Sequence, residues 1–146
     1  MKEDDMKIIK WHDDSYINAI KKSIGYNPCS ANLTLMNKGN YLQRRFALSA
    51  LFLTMYNLSI EKSGLLFIKR KKYSPVLVAH IVTYIAFNDI KKIDLNKKIG
   101  RIELHIHTLM DDKKRVFSMS PKGGKYFPWQ ETSIIELKNL VSQFSE

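Results

Sequence analysis

Arg101-Ile102-Glu103-Leu104-His105-Ile106-His107-Thr108-Leu109 alternates between apolar and polar residues. Ile102, Leu104 and Ile106 fall on one side, and Arg101, Glu103, His105 and His107 on the other. Successive side chains of an extended chain point to opposite faces, so this period of two predicts a strand buried on one face. β-compatible runs surround it: Leu65 to Ile68, Val76 to Phe87, Ile90 with Ile93 and Leu95, and Arg115 to Met119. Val76 to Phe87 is too rich in Val, Ile, Thr and Tyr to favour a helix. Polar turns separate these runs at Ser63-Gly64, Asn88-Asp89, Lys97 to Gly100 and Asp111 to Lys113. Strands in succession, closed by one amphipathic helix, predict a mainly β (α+β) domain: a small sandwich or barrel capped at one end.

Upstream, Asn32 to Met36 and Arg45 to Met55 are β-compatible, with a polar turn over Asn37 to Asn40. Phe46 to Tyr56 is interrupted by Ser49 and Thr54 and is too short to span a bilayer, so it is read as a buried strand. Asp14 to Ile24 has helical spacing at Ile17, Ile20 and Ile24, basic residues Lys21 and Lys22 near the negative end, and Gly25 placed to terminate it. Residues 1–30 are thus expected to be an N-terminal extension carrying one helix, and 31–146 the β domain. The closing helix is expected from Gln130 to Phe144, with a stripe of Ile134, Leu137, Val141 and Phe144 broadened by Ile135 and Leu140. Ser133 and Glu136 stand at capping-box spacing, and Trp129 is expected to seal the junction of helix and sheet.

The order Leu51-Phe52-Leu53-Thr54, Asn57-Leu58-Ser59-Ile60, Ile85 to Ile93, Ile99 to Leu104, Val116-Phe117-Ser118 and then a closing helix covers about two thirds of the chain. In these residues the chain resembles the bacterial pleckstrin-homology-like (PH-like) domains, including the GRAM-like branch. The resemblance implies a strongly bent seven-stranded sheet closed at one end by the C-terminal helix. It also implies a non-enzymatic scaffold that binds lipids, peptides or proteins, in some members through basic inter-strand loops.

Charge points to the same region. The net charge is +10, of which residues 61–125 carry +9, residues 1–60 carry +3 and residues 126–146 carry −2. The cations cluster at Lys69-Arg70-Lys71-Lys72, Lys97-Lys98 and Lys113-Lys114-Arg115, all expected at strand ends. Such a field favours an anionic membrane surface or an acidic protein, though lysines at turns also keep sheet edges soluble. Lysines interleaved with Tyr73, Tyr84 and Tyr126 allow nucleic acid as a weaker alternative, and pairing of sheet edges between copies allows a homo-oligomer. The acidic start at Glu3, Asp4 and Asp5 does not read as a secretory signal, and Cys29 is a single cysteine. A cytoplasmic protein, peripheral to the membrane at most, is the expectation.

No motif predicts catalysis or a cofactor. Glu103-x-His105-x-His107 could offer metal ligands from one strand face, but His12, His80 and Cys29 are remote in sequence, so no metal is expected. Pro121-Lys122-Gly123-Gly124-Lys125 lacks phosphate-loop spacing. Cys29 follows Pro28 without a nearby histidine, and no serine occupies a G-x-S-x-G setting. The adjacent carboxylates Asp4-Asp5, Asp13-Asp14 and Asp111-Asp112 occur in expected termini or turns, where both members stay ionised.

Overall fold

A computed structural model of the chain describes residues 14–28, 31–37, 54–71, 76–109, 111–122 and 130–144. Helix α1 is Asp14–Ser23. Seven strands follow: β1 (Asn32–Asn37), β2 (Met55–Ile60), β3 (Gly64–Arg70), β4 (Leu77–Ala86), β5 (Ile90–Lys98), β6 (Arg101–Thr108) and β7 (Asp111–Met119). A 3-10 turn, Phe87–Asp89, joins β4 to β5, and helix α2 is Gln130–Phe144. The strands form one antiparallel sheet in the order β4-β3-β2-β1-β7-β6-β5. No helix among the described residues is long and apolar enough to cross a membrane.

The sheet curls on itself. Phe67 of β3 and Phe117 of β7 lie three strand positions apart, about 14 Å in a flat sheet. Their rings nevertheless stack with centroids 4.7 Å apart, and Tyr56 meets both edge-on at 6.3 and 6.1 Å. The two halves therefore face each other across one core. That core takes Leu33, Leu35, Leu58, Leu65 and Phe67 from one side and Ile93, Ile102, Leu104, Ile106 and Phe117 from the other. The alternation read in Ile102, Leu104 and Ile106 holds: all three are buried in the cluster that contains Ile134 and Leu137 of α2. Val141, Leu140 and Phe144 pack at its margin, whereas Ile135 is exposed.

Among the described residues the sheet is not closed into a barrel, and β4 and β5 are its edges. Helix α2 fills the opening instead. Its residues contact β1 and β5, and Phe144 meets Phe87 of the β4–β5 turn edge-on at 5.8 Å. Ser133 is buried three residues inside the helix, so it does not cap the N-terminus.

The first helical residue has another role. Among the described residues the β1–β7 ladder contains two pairs, Met36 with Ser118 and Asn37 with Phe117. Continued in the same register it would set Thr34 opposite Ser120, but there the strands part and the Gln130 side chain stands between them. Its Oε1 accepts from the Thr34 backbone N–H at 3.0 Å, while its Nε2 donates to the carbonyls of Thr34 at 3.0 Å and Ser120 at 3.1 Å. A side-chain amide has the donor and acceptor of a peptide group, so it continues the ladder across the gap.

The opposite face of β3 is buried as well. Leu66 and Ile68 form a second cluster with Leu77 and Ile17, flanked by Tyr16, Ile20, Ile24 and Tyr26. α1 is tied down by Lys21 Nζ, 2.8 Å from Glu61 Oε1, and by the Tyr16 hydroxyl, which accepts from the Leu77 backbone N–H at 3.1 Å. Gly25 follows the helix at φ 90°, the left-handed conformation that a glycine terminator supplies. Gly64 is needed for space: a Cβ there would stand 2.5 Å from the Tyr84 ring, which lies across β3 and reaches Ser63 Oγ at 2.8 Å.

Gln130→Ala leaves the buried Thr34 N–H and carbonyl, and the part-buried Ser120 carbonyl, without their partner and should lower unfolding stability by about 2–4 kcal/mol. Urea denaturation measures this. Glu136→Ala, an exposed change in the same helix, should stay within about 0.5 kcal/mol.

Candidate functional site

The sequence places nine cations in candidate clusters, and the fold separates them. Lys69 and Arg70 belong to β3 rather than to a loop. Lys69 is half-buried on the side of Leu65 and Phe67, and Lys71 is exposed. Arg70 points to the opposite side and is 1% exposed, its Nη2 donating to Thr34 Oγ1 at 3.3 Å. Burial pushes its guanidinium down to about 10, so it stays charged at neutral pH. The expectation of a solvated loop is corrected at Lys69 and Arg70: strand β3 runs through Arg70, and its alternation carries that side chain to the face that α1 covers. Lys72 and the Lys113 side chain lie outside the described residues, as do Trp129, the proposed strand residues 45–53 and the 123–125 segment.

Asp111 to Arg115 are also strand residues, the turn before them including Leu109. Lys114 is exposed and pairs across with His107, which pairs with Lys92 of β5. Arg115 is half-buried on the other side of the strand. Lys97 and Lys98 lie at the far end of β5, opposite Ile102 and Arg101. Ile102 and His107 are five positions apart on β6, about 17 Å, so the 97–98 and 113–115 groups occupy opposite ends of the sheet.

Two polar surfaces result. Lys92, Asp94, His105, His107 and Lys114 line a shallow depression of about 150 Å³ on the outer face of β5 to β7. Here the expected solvent-facing row is corrected, because Glu103 is 3% exposed. Its carboxylate is engaged by Arg101 Nη2 at 3.5 Å and His105 Nε2 at 3.2 Å, and the neighbouring strands leave it little water. Lys92 and Asp94 form an open pair at 3.7 Å. Among the described residues no group of three or more His, Cys, Asp or Glu side chains is arranged to hold a metal ion.

The second surface is the β5–β6 hairpin tip. Ile99 and Gly100 make the two-residue turn, and Gly100 takes the required positive φ of 71°. Ile99 is 101% exposed. Around it stand exposed Lys97, Lys98 and Arg101; among the described residues neither lysine has an acidic partner, while Arg101 is steadied by buried Glu103. The sequence contained Lys97-Lys98-Ile99-Gly100, but only the turn geometry shows that the isoleucine projects with nothing against it.

A third set was hidden in the sequence. On the outer face of β1 and β2, Asn32, Asn57 and Ser59 are fully buried; Asn57 Nδ2 donates to Asn32 Oδ1 and Ser59 Oγ at 3.3 Å each, and Ser59 Oγ donates to Asn32 Oδ1. Polar residues at alternate positions, Asn32-x-Thr34 and Asn57-x-Ser59, are the only signal, and it reads equally well as a solvent face. No protein-family model matches the chain, and no curated protein matches it.

Arg70→Ala should cost about 1–3 kcal/mol of stability, because it removes a buried hydrogen-bonded side chain, whereas Lys71→Ala should change it by less than about 0.5 kcal/mol. Thermal or urea unfolding of the two single variants separates the buried member of the run from the exposed one.

Proposed function

We propose that the chain is a non-enzymatic, PH-like binding module that docks reversibly on anionic membrane head groups through the β5–β6 hairpin. The architectural part of this reading is supported by the seven antiparallel strands in the order β4-β3-β2-β1-β7-β6-β5, curled around a core that a C-terminal helix covers. The observation that carries the ligand is Ile99, fully exposed at the apex of a hairpin whose neighbours are Lys97, Lys98 and Arg101. Lysines alone would serve solubility. An apolar side chain held out among them is unfavourable in water and favourable where the cations meet head groups and the apex enters the acyl boundary.

The magnitudes fit a reversible contact. Each cation near an anionic bilayer contributes about 1 kcal/mol, and full burial of an aliphatic side chain about 1.5–3 kcal/mol. Three cations and Ile99 together give roughly 5 kcal/mol, short of stable anchoring.

Co-sedimentation with vesicles of mixed phosphatidylcholine and phosphatidylglycerol, against phosphatidylcholine alone, tests the reading. Binding should require the anionic lipid, weaken as salt rises, and fall about twentyfold or more in the Lys97→Ser/Lys98→Ser variant. Ile99→Ser should reduce it about tenfold without affecting stability. Wild-type protein that ignores anionic vesicles overturns the proposal. Vesicle binding that Ile99→Ser leaves intact overturns the insertion of the apex and leaves a purely electrostatic contact, of the kind an acidic protein surface would also satisfy.

A further inference from the structure

The two edges of the sheet are built differently. β5 carries five charged residues in nine: Lys91, Lys92, Asp94, Lys97 and Lys98. Charged edges of this kind resist pairing with another chain. β4 carries none in ten, and the uncharged run extends from Val76 to Phe87 with His80 as its one titratable side chain apart from Tyr84. In a chain with 26% charged residues, that edge lacks the usual protection. Val76, Ile81, Val82 and Tyr84 are each 38–41% exposed along it.

The backbone of β4 is equally open. Phe87 N–H donates to the Ser63 carbonyl, in register with the Gly64–Ala86 pair. In an antiparallel ladder hydrogen-bonded pairs alternate with pairs whose amides point outward. Thr83 and Ile85 therefore address β3, while Val82, Tyr84 and Ala86 direct N–H and C=O away from the sheet. Among the described residues β4 has no strand on that side. Tyr84 is held in place, its hydroxyl on Ser63 and its ring over Gly64 and 5.9 Å from Tyr26, so the edge is fixed before any partner arrives.

We infer that β4 pairs antiparallel with β4 of a second copy of this chain. An antiparallel edge is self-complementary in its hydrogen bonds, which a two-fold dimer requires. The self-complementary hydrogen-bond phase selects the copy, and charge selects where it docks. Two molecules of net charge +10 repel, and the uncharged β4 edge is where they can meet without opposing lysines. Pairing about Thr83 sets Val82 opposite the partner's Tyr84, a β-branched residue against an aromatic one.

Sedimentation velocity of the full chain at increasing concentration tests this. The wild type should reach twice the 17.0 kDa monomer mass, and added salt should strengthen the dimer by screening the repulsion between copies. Vesicle docking through the hairpin has the opposite salt dependence, so failure of one proposal is distinguishable from failure of the other. Ile81→Lys/Val82→Lys should remain monomeric with unchanged circular dichroism. Ile135→Lys, which charges an exposed apolar residue on α2, should dimerise like the wild type. A wild type that stays monomeric, a dimer that survives in the double variant, or equal dissociation by Ile135→Lys overturns the inference.

Discussion

One side-chain amide holds the curled sheet together where its backbone does not. Among the described residues β1 and β7 join the two halves of the molecule through a ladder of two residue pairs, and on the Thr34 side of it Gln130 supplies a donor and an acceptor to Thr34 and a donor to Ser120. Because Gln130 is also the first residue of α2, the same contact fixes where the helix begins. From that anchor the helix runs about 22 Å, far enough for Phe144 to meet Phe87 beyond the opposite edge of the opening. Sheet curvature, helix placement and the shared core are thus one constraint expressed three times.

This constraint also explains why the sheet remains open. A barrel needs β4 and β5 to hydrogen-bond along their length, but the apolar stripe of α2 supplies the cover that such pairing would give. Among the described residues both edges stay available, and they are treated in opposite ways: β5 with charge, β4 without. The hairpin between β5 and β6 projects from the charged edge, so the two surfaces to which function is assigned lie on different halves of the sheet.

Much of this was legible in the sequence. Ile102, Leu104 and Ile106 announce their strand by alternation, and the closing helix spans Gln130 to Phe144 as its periodicity requires. The reading failed where one pattern serves two environments. Arg70 and Glu103 sit at positions that alternate with core residues, and alternation assigns such positions to water unless something covers that face. α1 covers part of the far side of β3, and neighbouring strands and side chains enclose Glu103. Likewise Lys21, read as a complement to the helix end, is buried against Glu61 of the β2–β3 turn. A partner 40 residues away leaves no local mark. The Lys97 to Gly100 turn is legible, but the full exposure of Ile99 within it is not, because a turn residue can fold back onto a strand as readily as it projects.

The Gln130 contact has a consequence for the order of events during synthesis. Thr34 and Gln130 are 96 positions apart, so β1 is made long before the group that completes its outer edge. At about 5–20 residues per second the ribosome leaves that edge unpaired for several seconds, while β1 to β4 can already form a four-stranded meander. Such a meander would expose the uncharged β4 on one flank and unfinished β1 on the other. The nascent chain is therefore vulnerable to adventitious strand addition until its last helix emerges, and a holding chaperone would have its greatest effect in that interval.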